Sequence, residues 1–298
     1  DDIIGDFLIK SNTSSYGGSD IETDGHIKKY FPSWLNNNDR LVSEQDYNSY
    51  LNTYSCDFGA IGAGKTLLKQ YNKDANLIYT FVLLPSSKEL VFNQINGLTS
   101  KYNTDINEYE YNDPLIQTLF SDIDSRKMFT DRVEIHNAFI QRFDFKFDLE
   151  IYNSINIETT KNRILTQLYN YFLSNATFQN EIYVSEIHQI VQTELGIGQD
   201  RVGRLKDIKI KYTGEIGGEY KSLQDFDDDM LIKFDYNKLS STEISRAESL
   251  FPNNPSTNVS KIVMLLPATI AFDYGFKIPK KIRYDNTNIN NTNLALLE

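Results

Sequence analysis

The sequence predicts an α+β fold: two consecutive small α/β sandwich-like units followed by a β-rich C-terminal region. Three observations carry this. Phe143, Phe145, Phe147, Leu149 and Ile151 alternate without error with Asp144, Lys146, Asp148 and Glu150, the period of a strand with one packed face and one wet face. Leu77 to Leu84 is a near-continuous apolar run, as in a strand buried on both faces. Apolar stripes at three- and four-residue steps mark helices at Tyr47, Tyr50, Leu51 and Tyr54, and at Ile164, Leu165, Leu168, Phe172 and Leu173. The expected partition is an extended linker over 1–40, a first α/β domain over 41–140, a second over 141–215, and the β-rich region with a flexible tail over 216–298.

Bulk properties narrow the function. The chain has 298 residues, 40% hydrophobic and 24% charged, as in a folded protein of about two domains. Its net charge of −11 argues against general nucleic-acid binding, which needs a basic face. Cys56 is the only cysteine, so no internal disulfide forms and a reducing compartment is expected. The run Leu77–Leu84 is too short to span a membrane, and no membrane insertion is expected. The chain opens on Asp1 rather than Met, so a longer parent protein is expected.

Residues 1–40 pass from an apolar patch at Ile3, Ile4, Phe7 and Ile9 to a Ser/Asn/Gly-rich loop, then to Gly17, Gly18, Asp20, Ile27 and Pro32. The octet Arg40-Leu41-Val42-Ser43-Glu44-Gln45-Asp46-Tyr47 then opens a helix. Ser43 is a good N-cap, and Asp46 sits where the capping box places its acid. Glu44 and Asp46 put negative charge at the positive end of the helix dipole. Val42 and Tyr47 have the spacing of a hydrophobic staple.

These residues carry a resemblance. The order Gly17-Gly18-x-Asp20, Ile27, Pro32, then Arg40-x-Val42-Ser43-x-x-Asp46-Tyr47 resembles the baseplate J-like family, the wedge subunits of contractile phage-tail baseplates. Ser43 stands where Thr is commoner in that family, and either residue can cap. The order of elements agrees with the family to about residue 215. The resemblance implies a structural subunit, not an enzyme, without cofactor or metal. Its implied partners are other copies of itself and other baseplate wedge and tail proteins. Its implied location is the virion tail baseplate, assembled in the host cytoplasm. The motif residues Gly17, Gly18, Asp20, Ile27, Pro32, Arg40, Val42, Ser43, Asp46 and Tyr47 would be packing or interface elements.

Gly59-Ala60-Ile61-Gly62-Ala63-Gly64-Lys65-Thr66 matches the phosphate-binding loop pattern, in which Lys65 would reach outer phosphates and Thr66 would hold Mg²⁺. That loop needs an apolar strand before it and a helix after it. A capped helix and Tyr54-Ser55-Cys56-Asp57 precede it here. The expectation is therefore a strand over Phe58–Gln70, paired with Asn76–Leu84 across Asn72–Ala75. A nucleotide-binding enzyme using Lys65 and Thr66 is the first rival reading, and a receptor-binding or fibre-attachment module the second.

Further along, Pro85 to Gln94 is expected to turn into a helix on the spacing of Leu90, Val91 and Ile95. Thr99–Asp113 reads as an exposed polar insertion. Pro114 opens a helix with Ile116, Leu119, Phe120 and Ile123 on one side, extending over Arg126–Arg132. His136 reads as an exposed strand residue rather than a ligand. The acidic wet face of Phe143–Ile151 reads as a solvated surface rather than a cation site.

Glu158 starts the helix carrying Ile164 to Leu173, which is expected to lie on that strand. Ser185 is expected to cap a second helix that Gly196 ends. Ile208, Ile210 and Tyr212 alternate in another strand. Beyond it, Asp225–Asp229 reads as an acidic loop, Leu231–Tyr236 and Lys261–Leu266 as strands, and Phe272, Tyr274, Phe276 and Ile278 as a last alternation. Lys280, Lys281 and Arg283 would suit an acidic protein neighbour.

Overall fold

The computed structural model describes residues 40–71, 75–86, 91–105, 108–152, 157–196, 202–213, 219–222 and 231–276. The mixed α+β class is observed. Cα packing divides the chain into two compact units that meet in sequence between Phe139 and Ile140, with 88–91 grouped with the second. The linker 1–39, the acidic run Asp225–Asp229, Ile278, the basic run 280–283 and the tail lie outside the described residues.

The first unit contains α1 (Glu44–Thr53), β1 (Ser55–Cys56), β2 (Gly59–Ala60), β3 (Ala63–Tyr71), β4 (Ala75–Pro85), β5 (Phe92–Asn93), β6 (Ser100–Asn103), β7 (Glu108–Tyr111), α2 (Pro114–Arg126) and β8 (Asp131–Asn137). β4 is central. It pairs antiparallel with β3 and parallel with β8. Leu77 to Leu83 are buried throughout, which is why this strand reads as an unbroken apolar run. Tyr47 and Leu51 of α1 join Ile116, Leu119 and Ile123 of α2 and Ile78, Val82, Val133 and Ile135 of the sheet in one core.

Several expectations here are corrected. The strand begins at Ala63, because Phe58 sits in the turn of the small β1–β2 hairpin. No helix runs through Gln94: Phe92 and Asn93 return to pair with Leu84 and Pro85, and burial of Val91, Phe92 and Ile95 reflects that return. Thr99–Asp113 is exposed over much of its length, as expected, but it is ordered as a β6–β7 hairpin anchored by the buried Tyr111, whose hydroxyl accepts from Ile135 N–H at 2.6 Å. α2 stops at Arg126, because the chain turns to bridge Lys127 with Leu41.

The second unit contains β9 (Phe139–Ile151), α3 (Ile157–Ser174), β10 (Ile182–Tyr183), α4 (Val184–Glu194), β11 (Gly203–Tyr212), β12 (Lys221–Ser222), β13 (Leu231–Ile232), α5 (Ser241–Leu250), α6 (Pro255–Ile262) and β14 (Val263–Phe276). The main sheet has the order β12-β11-β9-β14. β11 runs antiparallel to β9, with a bulge between Leu205 and Asp207. Odd-numbered residues of β9 are buried along its whole length, as the alternation requires. Phe172 of α3 meets Phe145 at 5.5 Å between ring centroids, so the helix does lie on the apolar face. Gly196 follows α4 with a positive φ of 90°.

Ser185 does not cap α4. Tyr183 holds the cap position with no side-chain bond, because Val184 and Ile187 must both face the core and so set the cap two residues earlier. The last stretch is not a separate β-rich region. β14 joins the β9 sheet, stacking Phe272 on Phe147 at 5.5 Å. Residues 241–262 are two helices, capped at Ser240 and opened by Pro255, and they replace the first part of the strand expected over Lys261–Leu266. Leu231–Tyr236 keeps only two strand residues before a 3₁₀ turn at Tyr236–Lys238.

Candidate functional site

The octet folds as its residues dictate. Asp46 Oδ2 accepts from Ser43 N–H at 2.7 Å and from Val42 N–H at 3.2 Å. Asp46 N–H donates to Ser43 Oγ at 3.3 Å, completing the capping box. Tyr47 is fully buried and donates its hydroxyl to Asp131 Oδ2 at 3.4 Å. Burial and then the Asp131 carboxylate push the Tyr47 phenol upward, so it stays protonated. Asn76 Nδ2 donates to the other oxygen of Asp131 at 3.1 Å, so this buried acid is held from both sides. The octet therefore ties α1 to the start of β8. The staple is corrected: Val42 is 56% exposed, and Leu41 is the buried neighbour, because its N–H bonds Arg126 O and turns Val42 outward. Arg40 is exposed. Gly17, Gly18, Asp20, Ile27 and Pro32 lie outside the described residues.

The phosphate-loop match has no cradle. Lys65 and Thr66 lie in β3, opposite Phe81 and Thr80, and a strand stands where the loop requires a helix. Its amides are already committed. Gly62 N–H donates to Leu83 O at 2.8 Å, Gly64 N–H to Asn52 Oδ1 at 3.1 Å, and Thr66 N–H to Asn48 Oδ1 at 2.6 Å. Lys65 Nζ lies 3.9 Å from Glu44. Thr66 and Thr80 are directly paired across the strands, and both hydroxyls are fully buried without hydrogen-bond partners among the described residues. The glycines serve packing instead. A Cβ at Gly64 would stand 2.4 Å from Leu51 Cβ, so glycine lets α1 close on the sheet. Gly59 has φ +138°, which the β1–β2 turn requires.

A device that sequence reasoning missed recurs in both units. A side-chain amide accepts the N–H and donates to the C=O of one residue, as a neighbouring strand would. Asn52 holds Gly64 this way, with Asn52 Nδ2 3.0 Å from Gly64 O. Asn137 holds Ile95 at 2.8 and 2.9 Å. In the second unit, Gln141 holds Asp235 at 2.8 and 3.0 Å, and Asn180 holds Leu265 at 2.7 and 3.0 Å. The abundance of Asn was the available signal, but it reads equally well as loop composition.

The charged groups neutralise one another locally. On the wet face of β9, Lys146 pairs with Asp273 and Asp148 with Lys209, each at 2.6 Å, and Glu150 pairs with Arg204. This face is a cross-strand ion-pair lattice rather than a set of solvated acids. No cluster of metal-ligating side chains occurs among the described residues. His136 is half-buried in β8, 3.3 Å from Glu134. Burial raises the Glu134 carboxyl, but hydrogen bonds to His136 and Tyr109, with the charges of His136 and Arg132, bring it net below 4.5. A carboxyl lowered by folding contributes stability above its unfolded value and loses it as pH falls. The urea midpoint should therefore drop on acidification below pH 4.5, and Glu134→Gln should make that drop shallower.

No family model matches the chain, and no curated protein matches it. Among the described residues, no helix is long and apolar enough to cross a membrane.

Proposed function

We propose that the chain is a structural subunit of a contractile phage-tail baseplate wedge, similar to the J-like family, that associates with its own copies and with other wedge subunits. The octet carries this reading. Arg40, Val42, Asp46 and Tyr47 are the matched residues within the described part, and Ser43, standing where Thr is commoner, forms with Asp46 and Tyr47 one capped, core-anchored helix start. Val42 points outward beside them, available to a neighbour. The location is the virion tail baseplate, after assembly in the host cytoplasm.

Electron microscopy of purified particles with an antibody against this chain is the test. Label at the distal end of the tail, below the sheath, supports the reading. Label at the head–tail neck, or none on finished particles, overturns it. Two variants separate folding from assembly. Ser43→Pro removes the cap oxygen and the N–H that Asp46 accepts, and should cost about 2 kcal/mol in urea denaturation. Val42→Asp should leave the urea midpoint unchanged, because the side chain is exposed, yet reduce particle yield.

A further inference from the structure

Asparagine side chains hold the main chain in both units, and one asparagine stands apart from them. Asn48, Asn52, Asn76, Asn137 and Asn180 each have a hydrogen-bonded amide. Asn96 is exposed, and its amide bonds none of the described residues. The residue after it is Gly97, the only glycine in the chain that follows an asparagine. Gly97 is exposed too, has φ +66°, and would have nothing within 4 Å of an added Cβ. Its N–H makes no hydrogen bond among the described residues. The turn hangs between two anchored residues. Ile95 is buried, with its N–H donating to Asn137 at 2.8 Å and its C=O accepting from Asn137 at 2.9 Å. On the other side, Leu98 packs against the core of the first unit.

This arrangement suits an intramolecular acyl transfer. The Gly97 main-chain nitrogen is the nucleophile and the Asn96 side-chain carbonyl carbon the electrophile, and their covalent tether holds them close. Any side chain on residue 97 would crowd the approach, and glycine has none. We propose that Asn96 is a site of spontaneous deamidation in the folded chain. Hydroxide takes the Gly97 N–H proton, and the nitrogen attacks Asn96 Cγ. The new C–N bond closes a succinimide, and the side-chain nitrogen leaves as ammonia. Water then opens the ring. Breaking the bond from Gly97 N to Cγ gives aspartate. Breaking the bond from Gly97 N to the main-chain carbonyl carbon gives isoaspartate, whose main chain is one methylene longer. Either product adds a negative charge to a chain already at −11. Aspartate fits the exposed turn unchanged. Isoaspartate must place its extra methylene between Ile95 and Leu98, so it loosens the hold of Asn137 on Ile95. None of this depends on the wedge reading.

The test incubates the full, folded chain at mildly alkaline pH and follows it by peptide mass spectrometry. The tryptic peptide over 89–101 contains Asn93 and Asn96, which fragment ions distinguish. The exchange of an amide for a carboxyl should appear at Asn96 ahead of every other asparagine, and should quicken as pH rises. Asn96→Gln, harmless to folding because the side chain is exposed, should abolish it in that peptide. Enzymatic carboxyl methylation should detect isoaspartate at the same position. Hydrogen exchange at the Ile95 amide should be faster in the isoaspartyl fraction than in Asn96→Asp, whose turn keeps its length. No conversion at Asn96, conversion only after unfolding in urea, or earlier conversion at another asparagine overturns the site. Equal Ile95 exchange in the isoaspartyl fraction and in Asn96→Asp overturns the loosening of the Asn137 hold.

Discussion

Gly64→Ala should destabilise the first unit by about 3 kcal/mol, although it adds only one methyl group. The added Cβ would stand 2.4 Å from Leu51 Cβ and 3.0 Å from Leu51 Cδ1, and Leu51 is itself fully buried. The methyl group cannot be accommodated by rotating an exposed side chain. α1 must lift, and lifting it lengthens the bonds from Asn48 and Asn52 to the β3 edge. Urea denaturation measures the loss. The neighbouring positions make the result specific. Lys65→Ala should change stability by no more than about 0.5 kcal/mol, since its ion pair is loose and partly exposed. Thr66→Val should stabilise, because it removes a buried hydroxyl with no partner while keeping the shape. A phosphate-binding loop predicts another ranking, with Lys65 and Thr66 indispensable to MgATP binding. MgATP affinity that Lys65→Ala abolishes would falsify the packing account of this segment.

Gln141→Leu should cost the second unit about 3 kcal/mol, the largest loss expected there from a single polar side chain. Gln141 is 2% exposed, and its amide is the partner of both the N–H and the C=O of Asp235. Leucine fills a similar volume but leaves two main-chain groups without that partner. Hydrogen exchange at the Asp235 amide gives a local readout beside the urea midpoint. Faster exchange there, with helix α3 unchanged in the native state, is the expected pattern. Unchanged Asp235 exchange together with an unchanged midpoint would mean that the amide merely occupies space.

Much of the fold was legible because it depends on periodicity. The error-free alternation of β9 announced a strand with one packed face, and the run Leu77–Leu84 announced a strand buried on both faces, which is buried from Leu77 to Leu83. Ser43 and Asp46 announced a helix start, and the bonds that define a capping box are present. Where the reading failed, a partner distant in sequence had overridden a weak local pattern. Phe92 follows β4 instead of a helix, and α2 stops where Lys127 meets Leu41. Helices α5 and α6 went unseen because each buries few side chains, so neither shows a broad apolar stripe. Of the candidate site, the local contacts of the octet were readable. The outward turn of Val42 was not, because it depends on Leu41 bonding to Arg126.

The sequence by itself determined the α+β class, the position of the main strands and the start of α1, since each follows from residues within a few positions of one another. Only the tertiary structure decided what the glycines of 59–64 are for and which amides stand in for strand neighbours. The physical reason is separation along the chain. Asn52 meets Gly64 across 12 residues, Gln141 meets Asp235 across 94, and no local period encodes either contact.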